Sequence, residues 1–363
     1  MSILKDLLVA TVKNKASDLH LKGNQVPFIR ISGRLTEAGE ENLSPEHMRE
    51  IVQDILPDHV KEFYEKTHEA DFSLLEEGAG RFRVNIFHSQ GVPAVVMRHV
   101  KDAIPTFEDI RVPVHLKDMA NVQRGIIILS GTTGSGKSTT LAALIGEINR
   151  RSRKRIITVE DPVEYQFYDE QSVISQREIG LDTPDHESAL RHLLRQDPDV
   201  ILIGEMRDQI TIRIGLLAAE TGHLVLSTLH AGTADQAIPR MLDVFPMHER
   251  DHIRTAIASN LYSIICQRLM KDVDGAPLPA VEILVNTSTV RKLITKNQLD
   301  VLNAAVETGG DDGMQTFNQS IYNHIMSGEI SEEEGMLFAT NPEALRMNLQ
   351  GIFLDEGKRI LGA

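Results

Sequence analysis

The clearest chemistry in the chain lies in eight consecutive residues, Gly131-Thr132-Thr133-Gly134-Ser135-Gly136-Lys137-Ser138, with Thr139 directly after them. Their spacing is G-x-x-x-x-G-K-[ST], in which the glycines let the backbone curl until its N–H groups face inward at an anion. A wholly apolar run, Gly125–Ser130, leads into the loop, and a helix-forming stretch from Thr139 to Ile148 leaves it. The positive N-terminal end of that helix adds to the cradle. Lys137 is then placed to reach the β- and γ-phosphates of a nucleotide, and Ser138 to offer a hydroxyl to Mg²⁺. An ordinary glycine-rich turn between strand and helix is the plainer alternative; the match at every fixed position, with the right flanks, favours a nucleotide.

Three more short apolar runs follow: Ile156–Val159, Val200–Ile203 and Leu224–Ser227. Strands apolar on both faces belong in a parallel sheet covered by helices on each side. Ligands of such sheets collect beyond the carboxyl ends of the strands. There the first run continues into Glu160-Asp161-Pro162-Val163-Glu164, the second into Gly204-Glu205 and the third into Thr228-Leu229-His230. Singly each is an ordinary polar strand end. Four coinciding ends, one of them a phosphate loop, predict a shared site. The run before Glu205 resembles a Walker B element with Glu in place of Asp, expected to hold Mg²⁺ through water because that ion dehydrates reluctantly. One carboxylate must orient or deprotonate an attacking water. Glu164 is the candidate, since Pro162 turns the chain there; Glu160 and Asp161 are the alternative pair, and spacing does not decide between them.

His230 lies past the carboxyl end of its run, where it can sense a γ-phosphate. His223 lies at the other end, about 23 Å away on an extended strand and on the opposite face, which argues against a shared metal. A structural histidine is an equally good reading of it. Arg191 and Arg195 share one helical face just before Asp197-Pro198-Asp199. They suit either a solvated face or contact with anionic groups across a subunit boundary, as arginine fingers make. The dense basic run Arg150, Arg151, Arg153, Lys154 and Arg155 falls at the end of the helix after the phosphate loop, where cations offset the helix dipole. No aromatic residues interleave with it, which makes a nucleic-acid patch the weaker reading.

The elements that must position these residues divide the 363-residue chain into zones. Residues 1–100 mix a helix with short alternating runs such as Phe28–Ile31 and Arg81–Phe87, punctuated by Gly and Pro, which predicts a small α+β domain. Residues 101–113, with Pro105 and Pro113, read as a linker. Residues 114–269 hold the four apolar runs and their helices, and 270–363 read as mostly amphipathic helix. Ile3, Leu4, Leu7, Leu8 and Val12 recur at helical spacing with Ser2 as an N-cap, while Lys5 and Asp6 interrupt any export signal.

Composition narrows the function classes. Lys plus Arg number 38 against 52 Asp plus Glu, a net charge of −14, which argues against general nucleic-acid or anionic-membrane binding. A single cysteine, Cys266, excludes an intramolecular disulfide framework and any four-cysteine zinc module, and it suits a reducing compartment. No apolar run approaches the roughly 20 residues that span a bilayer. The expectation is a cytoplasmic protein whose membrane contact is peripheral.

Taken together, these elements resemble the PilT-type ATPases of type IV pili, within the secretion-ATPase superfamily, over nearly the whole chain. The opening segment of that family is matched by Ala16-Ser17-Asp18-Leu19-His20-Leu21 with Pro27, Arg30 and Gly33. Gly80-Arg81-Phe82-Arg83-Val84-Asn85 looks like the segment that sends arginines toward nucleotide, making Arg83 and Arg98 candidates. Thr158–Glu164 is similar to the family's Asp box, with Glu164 at its catalytic glutamate. Leu190–Asp208 is similar to its Walker B region, with Arg191, Arg195 and Arg207 at intersubunit or sensor arginines, and Thr221–His230 to its His box, which adds His223 to the site.

The resemblance implies a PAS-like N-terminal domain, a RecA-like P-loop core and a homo-hexamer. It further implies ATP and Mg²⁺ as cofactors and, as partner, an inner-membrane pilus platform protein. The extra N-terminal domain and four-cysteine zinc insertion of assembly and secretion members do not fit here, which favours the retraction branch. The retraction motors' AIRNLI motif stands as Thr289-Val290-Arg291-Lys292-Leu293-Ile294. Gly313-Met314-Gln315-Thr316 looks as much like the accessory PilU-type paralogues, so principal and accessory roles both stand, the latter with a paralogous ATPase as partner.

Overall fold

The computed structural model describes residues 3–31, 33–101 and 103–352, so the Ser2 cap and the end of the 270–363 region lie outside the described residues. The chain forms two compact units.

The first unit comprises Met1–Ala103 together with Pro162–Gln166 and Glu178–Pro184. Its sheet runs in the order β3-β2-β1-β6-β5-β4 and is antiparallel throughout. The strands are β1 (Asp18–Lys22), β2 (Phe28–Ile31), β3 (Arg34–Glu37), β4 (Ala70–Glu76), β5 (Gly80–Ser89) and β6 (Val92–His99). On β5 the alternation of Phe82, Val84 and Ile86 with Arg81, Arg83 and Asn85 buries one face only. That face packs on Leu4, Leu7 and Leu8 of the first helix and on Met48, Ile51 and Val52 of the helix Pro45–Ile55. Buried Glu178 ties the two later segments in: it accepts from the Ser73 hydroxyl at 2.5 Å, from Arg81 at 3.2 Å and from the Val163 N–H at 3.1 Å. The sequence reading assigns these segments to the core zone, because nothing local marks a carboxylate whose side-chain partners Ser73 and Arg81 lie about a hundred positions away.

The second unit holds β7 (Gly125–Ser130), β8 (Arg155–Glu160), β9 (Val173–Glu178, all but its last residue), β10 (Val200–Ile203), β11 (Leu224–Leu229), β12 (Leu261–Lys271) and β13 (Pro277–Val285). Their order is β13-β12-β7-β11-β10-β8-β9. Strands β12, β7, β11, β10 and β8 are parallel, and β13 runs antiparallel to β12. Every residue of β7, β10 and β11 is buried, as strands covered on both faces must be. The helix Lys137–Arg151 is buried continuously from Thr140 to Asn149.

Two differences from the sequence reading concern boundaries. The point between 269 and 270 falls inside β12, and β13 extends the same sheet into the region read as helix. Leu278–Leu284 is an unbroken buried run, and such a run does not tell strand from helix by periodicity alone. Pro277 and Pro279 are tolerated because β13 is the edge of the sheet. The second part of the 101–113 stretch is docked on this unit: Phe107 and Val112 are buried, and Arg111 pairs with Asp272 at 2.5 Å and Glu329 at 2.9 Å.

Candidate nucleotide site

The phosphate loop closes against β12. Gly131 has φ 147° and Gly136 φ 90°. A Cβ on Gly131 would meet the Gln267 carbonyl at 2.5 Å, and one on Gly136 the Gln267 Nε2 at 2.7 Å. Glycine is required at 131 by an immovable backbone oxygen and at 136 by the left-handed φ. Gln267 is buried and its Oε1 accepts from Thr140 Oγ1 at 2.9 Å, which links the loop wall to the helix that follows. The sequence reading missed Gln267; its one signal is a polar residue directly after the apolar stretch Ile264-Ile265-Cys266. Lys137 begins the helix, buried, with its ammonium donating to the carbonyls of Gly131 at 2.8 Å and Thr132 at 3.0 Å. Thr132, Thr133 and Gly134 are exposed, Ser138 and Thr139 half-buried. The Ser135 hydroxyl is buried and makes no hydrogen bond.

The neighbouring strand ends are stitched to this loop and to one another. Ser130 Oγ donates to the Ala231 carbonyl at 2.8 Å and accepts from the Ala231 N–H at 3.0 Å. Thr228 Oγ1 donates to Gly204 O at 2.7 Å, while Met206 N–H donates to Thr228 O at 3.0 Å. These bonds bring Glu205 and His230 together, Oε1 to Nε2 at 3.5 Å, both side chains more than a third exposed. Arg207 reaches Asp161 at 3.9 Å. Glu160 is buried and bound by the Thr158 hydroxyl at 2.6 Å and Gln176 Nε2 at 3.2 Å.

Three expected site residues stand at the opposite edge of this sheet. The His223 carbonyl accepts from Gly125, the first residue of β7, and its Nδ1 lies 2.9 Å from the Ala218 carbonyl and 3.1 Å from Thr221 Oγ1, closing the end of the helix Gln209–Glu220. Arg195 precedes the Asp197–Asp199 turn into β10, and Arg191, on the helix His186–Leu193, pairs with Glu187 at 2.6 Å. A six-residue strand separates the two edges by about 20 Å, so these residues do not join the loop of their own chain.

The other three belong to the first unit. Glu164 is exposed in the segment Pro162–Gln166. Arg83 and Arg98 are directly paired across β5 and β6, so they share a face. Arg98 donates to buried Asp18 at 2.8 Å. Burial pushes the Asp18 carboxyl up, but hydrogen bonds from Ser17 and Arg98 outweigh it and hold the group below its ordinary value. Burial, with Arg30 nearby, pushes the His20 imidazole down.

A glycine loop leading to a helix from the centre of a parallel sheet, with acid and histidine on the adjoining strand ends, is the architecture of a P-loop NTPase with a RecA-like core. The chain belongs to the Type II/IV secretion system protein family, whose pattern matches residues 1–279. It is 38% identical over 345 residues to the type IV pilus ATPase PilU of Pseudomonas aeruginosa, covering 95% of this chain and 90% of that one. It is also 38% identical over 340 residues to the type IV pilus retraction ATPase PilT of the same bacterium, covering 94% and 99%. The crystal structure of the pilus retraction motor PilT with bound ADP superimposes with a TM-score of 0.87 at 36% identity, covering 94% of this chain and 98% of that one. Among the described residues no helix is long and apolar enough to cross a membrane.

Proposed function

We propose that this chain is the ATP-hydrolysing subunit of a homo-hexameric motor that retracts a type IV pilus. It would work in the cytoplasm against an inner-membrane platform protein. One observation carries this reading: the phosphate loop and the Glu205–His230 pair, 3.5 Å apart, share one sheet edge in a chain that matches PilT over 94% of its length.

The chemistry is attack of water on the γ-phosphate. The loop N–H groups and Lys137 bind the phosphates, and the buried, unpartnered Ser135 hydroxyl gains an acceptor when a phosphate oxygen arrives. Mg²⁺ suits the donors: the Ser138 hydroxyl and the Glu205 carboxylate are hard oxygens on half-buried residues. Ser138 and Glu205 would hold the ion, with phosphate and water oxygens supplying its remaining ligands. When bound, the ion neutralises charge on the phosphate oxygens. Glu164 orients the water, and Glu205 holds His230 where it senses the γ-phosphate. Arg191, Arg195 and His223, at the far edge, serve a nucleotide on the next subunit, joined by Arg83 and Arg98, while Arg207 acts as an intersubunit or sensor arginine.

The test is Mg²⁺-dependent ATP turnover by wild type, Lys137→Ala and Glu205→Ala, with motility in a strain lacking the gene. Excess surface pili with lost twitching, rescued by wild type and not by Glu205→Ala, is expected. Undiminished turnover in both variants overturns the site, and bald cells overturn the direction of work. The equal match to PilU favours one second reading, an accessory subunit beside a paralogous ATPase, which turnover appearing only when the paralogue is added would select.

A further inference from the structure

The loop that follows His230 is held in part from β13, the edge strand of the sheet. Ser130 on β7 pairs with Cys266 on β12, and Cys266 pairs with Glu282 on β13, so the three form one transverse row. Ser130 grips Ala231 through both its N–H and its carbonyl. At the other end of the row Glu282 Oε1 accepts from the Ala234 N–H at 2.7 Å. Ala234 is the first residue of the helix Ala234–Asp243, whose cap residue Thr233 makes no side-chain cap bond; its hydroxyl is buried without a partner. The capping task of Thr233 has passed to a carboxylate on another element. Such a group at a helix N-terminus satisfies an orphan donor and meets the positive end of the dipole.

Given the ATPase activity proposed for this chain, we propose that Glu282 is a positioning residue for hydrolysis, acting through the Ala231–Ala234 loop to hold His230 against Glu205. The loop is pinned at Ala231 and Ala234 to the same row of the sheet, and His230 precedes the first pin directly. Release of the second pin leaves the loop held by Ser130 alone, so the backbone that sets His230, 3.5 Å from Glu205, rests on one anchor instead of two. The phosphate loop, walled by Gln267 and led by Lys137, does not depend on that pin. Hydrolysis should therefore suffer while nucleotide affinity does not.

The hydrogen bond can be removed from either side. Glu282→Met keeps the volume and deletes the acceptor, for the Phe317 N–H as well as for Ala234. Ala234→Pro deletes the donor at the first helical position, where proline is tolerated, and Thr233 already has the extended backbone that precedes a proline (φ −147°, ψ 163°). Glu282→Gln keeps an acceptor oxygen. With folding checked by thermal unfolding, both deletions should lower kcat about tenfold or more. The KM for ATP and the affinity for ADP should stay within about twofold, and the Gln variant should retain most of the wild-type kcat. The proposal is overturned if both deletions keep wild-type kcat, if kcat and nucleotide affinity fall together, or if Gln is as impaired as Met. Should one deletion fail to fold, the other decides. Absence of turnover in the wild type would instead defeat the ATPase reading itself, which distinguishes the two failures.

Discussion

Replacing Glu282 with glutamine should change stability in a strongly pH-dependent way, and the structure supplies the magnitude. The residue is 4% exposed. Burial is the largest influence on its carboxyl, the Ala234 N–H opposes it, Asp235 adds to it, and Arg268 and the Phe317 N–H oppose it in turn. The balance raises the group from 4.5 to about 7. Because the folded value exceeds the unfolded one, the folded chain binds the proton more tightly between those limits. The resulting stability is fully present below about pH 4.5 and is lost as pH rises through about 7. At 1.36 kcal/mol per unit, the difference of two to three units comes to about 3 kcal/mol. Glutamine does not titrate. Relative to wild type, Glu282→Gln should therefore gain about 3 kcal/mol between pH 4.5 and a value above 7. Paired urea titrations of the two proteins across that range give the gap between midpoints. A gap that stays constant with pH would mean the carboxyl titrates as a surface group, and the burial argument would fail.

Two further outcomes follow from the geometry. Gly131→Ala places a Cβ 2.5 Å from the backbone carbonyl of Gln267, which cannot yield, whereas a Cβ on Gly134, at φ 81°, meets nothing within 4 Å. The first change should abolish nucleotide binding and cost more than the about 1–2 kcal/mol of left-handed strain expected for Gly134→Ala, which unfolding of the nucleotide-free protein would compare. Arg111→Ala releases Asp272 and Glu329. His324 first and Arg111 second hold the Glu329 carboxyl at about 2, a lowered value, so that stabilisation is present above about 4.5 and is lost as pH falls through about 2. With these side chains partly exposed, the variant should lose about 1 kcal/mol at neutral pH. The deficit should shrink in acid unfolding curves, and an equal deficit at all pH values would show that packing, not charge, is the cause.

Much of the second unit was legible in the residue order. Four apolar runs bounded by Gly, Asp and Pro mark the parallel strands, since a strand covered on both faces has no room for alternation. The turn between β7 and the helix that follows was legible, because glycines at 131, 134 and 136 announce its backbone curvature locally. The first unit showed itself through period-two alternation on β5. By contrast, β13 was hidden, since an unbroken buried run carries no periodicity, and its two prolines read as punctuation until its place at the sheet edge is known.

The sequence alone determined where the glycine loop falls and which strands end in acid or histidine, because those properties reside in residue type and short spacing. The tertiary structure decided everything that depends on strand order. It placed β12 beside β7, so that Gln267 walls the loop, and set Glu205 within 3.5 Å of His230. It also grouped Glu164 with the N-terminal unit and joined Glu282 to the start of a helix 48 positions earlier. Neighbours across a sheet are chosen by how whole strands and helices bury their apolar faces together, and no short stretch of sequence contains that choice.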